Sequence, residues 1–514
     1  MPDPAGLGGC TRRQLLRGAG GAAALVVSGC GAARVLTRPK PPRLPGIRAF
    51  AVKPAGSTAA FHSRPDLRPP TVTATAATET VAVPRTDPGL LFLGPGPVSL
   101  SGSQQYGPMI VDRAGTPVWF RPLSPGLQVT NFASAQYRGK PVLVWWEGKI
   151  EQSGYGQGEA VVLDEDYREI ARVRAAGGRS MDLHALTLTS GGTALFSCYP
   201  QTVPMDLAGM DMPRNSQVLE SIIQEVDIAS GRLLWEWRSL QHIPVSATYE
   251  PHGEPYDYLH INSIEELPDG NLLVSGRHTW ALYKLDRRTG GVIWTLGGKQ
   301  SQFRMGPGAQ FAWQHDARQH SDNVVTVFDN GSNGPLTTEK ESRGLVLEVD
   351  ETRRSVTLRN AYTSPDRLLA GAMGSVQIGS QDRVLVGFGV ASHVTEFASD
   401  GTALLDVALP AGMYSYRGLR LRWNGNPHHR PAVAAAQDRQ SGGSIVYASW
   451  NGATKVAGWK VAAGPRQDKL RPVGIARRHG FETVIPIAVH PGYASVTALD
   501  HAGRELRRSP TIQL

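Results

Sequence analysis

The stretch 258–297, YLHINSIEELPDGNLLVSGRHTWALYKLDRRTGGVIWTLG, decides the fold class. It contains four short apolar alternations: YLHINSIEEL, NLLVSGR, WALYKLD and GVIWTLG. Between them stand PDG and RRTGG, residues that supply turn geometry. A period of two signals strands rather than helices. Four short strands joined by tight turns predict an antiparallel meander.

The same unit recurs on both sides. Before it come DLHALTL, GTALFSCY, IIQEVDI and GRLLWEWR; after it come WQHDARQ, NVVTVFDN, GLVLEVDE and RSVTLRNAY. A fourth copy reads GSVQIGS, DRVLVGFG, HVTEFAS and GTALLDVAL, and an earlier one VTNFASAQY, PVLVWWEG, EAVVLDED and REIARV. A sixth is split. GPMIVDRAGTPVWF carries its late strands, and YRGLRLRW near residue 420 is placed to supply the missing one. Asp112, Asp164, Asp227, Asp286 and Asp350 mark the turn between third and fourth strands, about 50–65 residues apart. Periodic four-stranded units predict an all-β, six-bladed β-propeller over residues 88–425. A closing strand from the far end of the repeat removes the open edges that invite aggregation. A large β-sandwich or two smaller barrels is the competing architecture.

Beyond residue 430 the Asp-turn-Trp signature ends. SIVYASWNGATKVAGWKV, FETVIPIAV and YASVTALDHAGREL still alternate, and Trp450 and Trp459 suit a small core. Residues 430–514 are therefore expected to form an Ig- or fibronectin-like β-sandwich. Residues 48–87 contain the strand-like TVTATAATETVAV and no motif.

The 514-residue chain carries a net charge of +9, but the charge is concentrated at one end. Residues 1–53 hold nine Lys and Arg against the single acid Asp3. The body is close to neutral, which removes the case for nucleic-acid binding. TRRQLLRGAGGAAALVVSGC opens with Arg12 and Arg13 and continues into the short apolar run Ala19–Val27. It resembles a twin-arginine export signal, and its end, VSGC, resembles a lipoprotein processing site with Cys30 as the lipidated residue. Residues 1–30 are thus expected to be a signal, and residues 31–47 a Pro-rich tether. The implied location is outside the cytoplasm, on the cell surface or periplasmic side, held to the membrane by a lipid anchor. The three cysteines are Cys10, Cys30 and Cys198. Only Cys198 remains free once the leader is set aside, so neither an internal disulfide nor a thiolate metal cluster is expected.

Aligning DLHALTL, YLHINSI and WQHDARQ places His184, His260 and His315 at one position in three consecutive units. In a propeller the first strand of each blade lines the central channel, so these imidazoles should converge. Asn262 lies two residues beyond His260 on the expected same face, and Arg277 ends the second strand of the middle unit. The units beginning GSVQIGS and VTNFASAQ lack the histidine, which suits a localised site better than a packing rule. Three imidazoles are a known zinc set, but a guanidinium beside a dication is unfavourable. The group suits an anion with several oxygens: arginine gives forked donors, and imidazole is a nucleophile when neutral or a proton donor when charged.

LHINS, SGRHTWALYKLD, TGGVIWTLGG and FAWQHDAR, in that order and with PVLVWWEG and DLHALTL, resemble the PAPS-independent arylsulfotransferases. The resemblance covers roughly residues 88–425. It implies a six-bladed propeller that moves a sulfuryl group from an aryl sulfate donor to a phenolic acceptor through a sulfohistidine, with no cofactor and no metal. By motif position it implies His315 as the histidine that attacks sulfur, Arg277 as the sulfuryl-binding arginine, and His260 and His184 as supporting histidines. Trp313, Trp145 and Trp146 are candidates for a wall around the phenol or, equally, for the core, and Asn262 is a candidate substrate contact. The sequence departs from better-studied members in a shorter N-terminal region, the C-terminal sandwich and too few cysteines for the disulfide of some members. This places substrate choice in doubt more than chemistry.

Two rivals remain at this level. DIASGRLLWEW and DRRTGGVIWTL also resemble the repeat of quinoprotein dehydrogenases, but those have eight blades and many carry a cysteine pair. A lipid-anchored propeller that binds a ligand without turnover is the non-enzymatic alternative.

Overall fold

The computed structural model describes residues 60–76, 89–98, 105–321, 323–438, 442–487 and 492–514. The expected signal at 1–30, its Cys30, the tether at 31–47 and part of the 48–87 segment lie outside the described residues. Among the described residues there is no α-helix, only strands and five short 3-10 turns.

Each predicted meander forms. The deciding stretch gives Ile261–Glu266, Leu272–Gly276, Ala281–Leu285 and Val292–Gly297, paired antiparallel in that order. The preceding unit gives Met181–Leu188, Thr193–Met205, Ser216–Asp227 and Leu233–Arg238. It joins the meander Gln128–Tyr137, Lys140–Ile150, Gly156–Leu163 and Glu169–Val173 through a bridge between Gly158 and Met181. The following unit begins at His315–Ser321 and ends at Ser355–Thr363; the next runs from Ser375–Ile378 to Ala403–Ala408. Thr73–Ala76, from the N-terminal β segment, adds a fifth strand beside Ala403–Ala408.

The split unit assembles as expected. Met413–Leu421 pairs with Leu90–Pro97, which pairs with Met109–Val111 and then Pro117–Phe120. The first strands of the six meanders neighbour one another in chain order, and Met413–Leu421 lies again beside Gln128–Tyr137.

The repeated aspartates owe their spacing to local backbone chemistry. The Asp286 carboxylate accepts the amides of Arg288 at 3.0 Å and Thr289 at 2.7 Å, while Gly290 takes φ +76°. Asp227, Asp164, Asp112 and Asp350 accept amides of their own turns in the same way. A carboxylate that satisfies orphan turn donors fixes the hairpin between third and fourth strands. The Asp–Gly spacing of the repeat is thereby accounted for by turn geometry.

After residue 430, strands Ala432–Asp438, Gly443–Ser449 and Glu482–Ile487 make one sheet, and Arg471–Arg477, Gly458–Gly464, Tyr493–Leu499 and Glu505–Arg508 the body of another. Trp450, Trp459, Val461, Ile485 and Val496 from both sheets share one buried cluster, as the two tryptophans suggested. The Asn451 side chain ties this region to the split meander by two bonds with the Phe120 backbone, at 3.0 and 2.9 Å.

Candidate active site

Three backbone irregularities build the site. His260 stands just before its strand with φ +54°, and Trp313 and Asp316 flank His315 with φ +51° and +52°. Left-handed backbone costs a non-glycine residue about 1 kcal/mol or more, and such outliers concentrate where side chains must be aimed. The loop carrying Arg277 folds back over the same place: the amides of Arg277 and His278 donate to the carbonyls of His260 and Leu259 at 3.0 and 3.1 Å. Gly276 permits the fold, because a Cβ there would lie 2.5 Å from Leu259 Cδ1 and 2.6 Å from Thr279 Oγ1.

His184, His260, Arg277 and His315 line one cavity of about 410 Å³. His278, Tyr416, Met373 and Val390 complete much of its wall. The histidines are nearly covered, at 4, 6 and 2 % exposure for His184, His260 and His315.

Hydrogen bonds assign protons. His315 Nδ1 lies 2.7 Å from Asn330 Oδ1 and 3.1 Å from the Trp313 carbonyl. Asn330 is oriented by its own amide, which donates to the carbonyls of Ala370 and Met373 at 2.8 and 3.0 Å. Nδ1 therefore carries the proton, and Nε2 keeps its lone pair, accepting the Met373 amide at 3.2 Å. Burial, then the Arg277 charge, holds this imidazole well below its usual pKa, so it is neutral at pH 7.

His184 and His260 form a pair. His184 Nδ1 lies 2.6 Å from Asp182 Oδ2, and His260 Nδ1 lies 2.6 Å from Asp257 Oδ2. Each Nδ1 thus carries a proton toward a carboxylate. The two Nε2 atoms are 3.1 Å apart. A proton taken up by the pair would lie between these two nitrogens and relieve the repulsion of their lone pairs. Burial, then the neighbouring His184 and Arg277, holds His260 well below its usual pKa.

Arg277 is held without a carboxylate partner: among the described residues it makes no ion pair. Its Nη1 donates to His278 Nε2 at 2.7 Å and its Nη2 to the Gly371 carbonyl at 3.0 Å. His278 Nδ1 donates to the Asp257 carbonyl at 2.6 Å, and burial lowers this imidazole to a pKa of about 3. The neutral His278 accepts from the guanidinium and leaves its positive charge facing the cavity. Asp257, His260 and His278 also bring potential metal-donor atoms within 4.8 Å of one another. Both Nδ1 atoms there are engaged by Asp257, and the guanidinium beside His278 opposes a dication, so the donor set does not suit a metal.

Two sequence-derived contacts fall elsewhere. Asn262 is fully buried, and its Nδ2 donates to the Gln314 carbonyl at 2.6 Å. The left-handed His260 and a register shift between Ile261 and Ser263 break the alternation that should have put Asn262 beside His260. Trp313 contributes its carbonyl to His315, but its ring packs edge-on against Trp280 and its Nε1 donates to Glu250 at 2.6 Å. Trp145 and Trp146 are core: their Nε1 atoms donate to Glu147 and to the Met181 carbonyl. Asp182, Asp257, His278, Asn330 and Tyr416 were missed. DLH, DYLH and RHT hold three of them within three residues of a chosen side chain, a local signal that an acid or imidazole beside a candidate histidine can orient it.

No curated protein matches the chain. Among solved structures, a protein of unknown function from Bacteroides caccae is 13 % identical with a TM-score of 0.40, covering 65 % of this chain and 99 % of its own. A protein from Lactobacillus plantarum is 12 % identical with a TM-score of 0.37, covering 78 % and 99 %. A streptogramin B lyase is 11 % identical with a TM-score of 0.33, covering 73 % and 94 %. These likenesses are too weak to bear on function. The family described as arylsulfotransferase (ASST) matches residues 134–409, more than half of the 514 residues and inclusive of all four cavity-lining candidates. The chain belongs to the arylsulfotransferase family.

Proposed function

We propose that the protein moves a sulfuryl group from an aryl sulfate to a phenol through a sulfohistidine at His315. The observation that carries this is one cavity shared by a neutral imidazole whose Nε2 lone pair is held only by the Met373 amide, a guanidinium with no ion pair among the described residues, and two histidines whose Nε2 atoms lie 3.1 Å apart. In the first half-reaction the Nε2–S bond forms as the S–O bond to the aryl group breaks. Arg277 offers charge to the sulfuryl oxygens, where preorganised donors act most strongly. A proton held between His184 and His260 passes to the departing phenolate. In the second half-reaction an acceptor phenol attacks sulfur, its proton returns to the pair, and His315 is released neutral. Asp182 and Asp257 hold the two rings in register for both transfers.

Six meanders whose first strands neighbour one another in sequence, the last beside the first, support a closed six-bladed propeller with the cavity at one end of its channel. The two sheets after residue 430 support a small sandwich appended to it. The leader motifs support export and a lipid anchor at Cys30.

Intact-protein mass after brief exposure to p-nitrophenyl sulfate tests the reaction. One sulfuryl group should be gained, lost on adding a phenol, and absent from His315→Asn. Steady turnover by that variant at the parental rate would sink the assignment.

A further inference from the structure

A second cavity, of about 320 Å³, backs onto the catalytic one. Successive residues face the two: His315 lines the catalytic cavity and Asp316 the other, and Tyr416 and Arg417 divide in the same way. The second cavity has a charged end and an apolar wall. At the charged end Arg417 is only 7 % exposed. Its Nη1 donates to Asn131 Oδ1, its Nε lies 2.8 Å from Asp316 Oδ1, and its Nη2 is buried with no partner among the described residues. Arg318 Nε donates to the same Asp316 oxygen at 2.9 Å. Two guanidiniums thus share one oxygen of Asp316. Glu265 is the other acid at the cavity, and burial raises its carboxyl. The apolar wall is Val144, Leu186, Leu188 and Leu419.

We propose that this cavity binds a small monocarboxylate with an apolar body, the carboxylate on Arg417 Nη2 and the body against Val144, Leu186 and Leu188. A buried, unpaired guanidinium N–H is costly and is satisfied best by a carboxylate, whose two oxygens match the fork. A bare inorganic ion would satisfy the charge and leave the aliphatic wall uncovered. An uncharged apolar molecule would cover the wall and leave the donor unpaired. The site is separate from the sulfuryl chemistry and does not depend on it.

Hexanoate is the probe, with hexanamide as its uncharged counterpart, and binding is followed by calorimetry on the full chain. Hexanoate should bind with one-to-one stoichiometry to the parent and to Arg277→Gln, and hexanamide should not bind. Arg417→Met, and Leu188→Trp, which fills the cavity while keeping its charges, should each weaken binding about ten-fold or more. If Arg417→Met fails to fold, Arg318→Gln takes its place with the same expectation. Loss of binding in Arg277→Gln would overturn the proposal by assigning hexanoate to the catalytic cavity. Equal binding of hexanamide, no binding by the parent, or indifference to the second-cavity substitutions would overturn it as well.

Discussion

The candidate active-site cavity has two dissimilar walls. One carries His184, His260, Arg277 and His278, and nearly every nitrogen on it is tethered to a carboxylate, a carbonyl or another ring. The other is built from Gly371, Ala372, Met373 and Val390 and offers mainly backbone groups and aliphatic surface. His315 stands between them, fixed by Asn330 and accepting the Met373 amide. The contrast separates two tasks. On the proposed function, charge and protons would be managed where side chains are over-determined, and the shape of the aryl group would be met where they are plain. Members with similar chemistry can then differ in substrate by altering the plain wall alone.

The sharpest way to break this division is Arg277→Lys. The ammonium keeps the charge but cannot bond His278 and Gly371 while also presenting a fork to the sulfuryl oxygens. Turnover of an aryl sulfate should fall about a hundred-fold, mostly in kcat, in steady-state kinetics. A loss confined to KM would show that the arginine only binds.

The second test is acid stability, because every strongly depressed imidazole near the cavity belongs to the polar wall or to His315. An unfolded histidine titrates near a pKa of about 6.5. In the folded protein His278 titrates at about 3, and His260 and His315 well below the ordinary value. Between those limits the unfolded chain binds more protons, so stability falls as pH falls. The melting temperature should drop steadily from pH 7 toward pH 4, and less steeply in His278→Gln, by scanning calorimetry. An unchanged slope in that variant would mean His278 is not buried neutral.

The smallest effect is expected on the plain wall. Val390→Ala enlarges the cavity without touching a charged group. It should change the preference among phenols of different size by about two- to five-fold while leaving sulfohistidine formation intact. A collapse of labelling in this variant would erase the distinction between the walls.

Strands were legible because their determinants are local. Alternation, Asp-capped turns and Gly at left-handed positions act over a few residues, so the meanders and even the split one stood out. Convergence of His184, His260, Arg277 and His315 was also legible, since repeat register transfers from unit to unit. Asn262 and Trp313 were misplaced because one positive-φ residue resets which side a strand presents, and nothing in INS or AWQ announces it. Asp182 and Asp257 were overlooked although adjacent, because their importance lies in a distance between two imidazole nitrogens from separate sheets. The far cavity was invisible for the same reason: Arg417 and Arg318 meet on Asp316 across about a hundred residues of chain.

The pairing of Leu90–Pro97 with Met413–Leu421 also governs when the protein can exist at all. More than three hundred residues of chain separate Leu90–Pro97 from its mate, so the two can pair only late in synthesis. Until then an apolar ribbon stands open on one side, exposed to other nascent chains. Synthesis halted short of that mate should leave the ribbon with an unpaired edge, a product inclined to stick to its like.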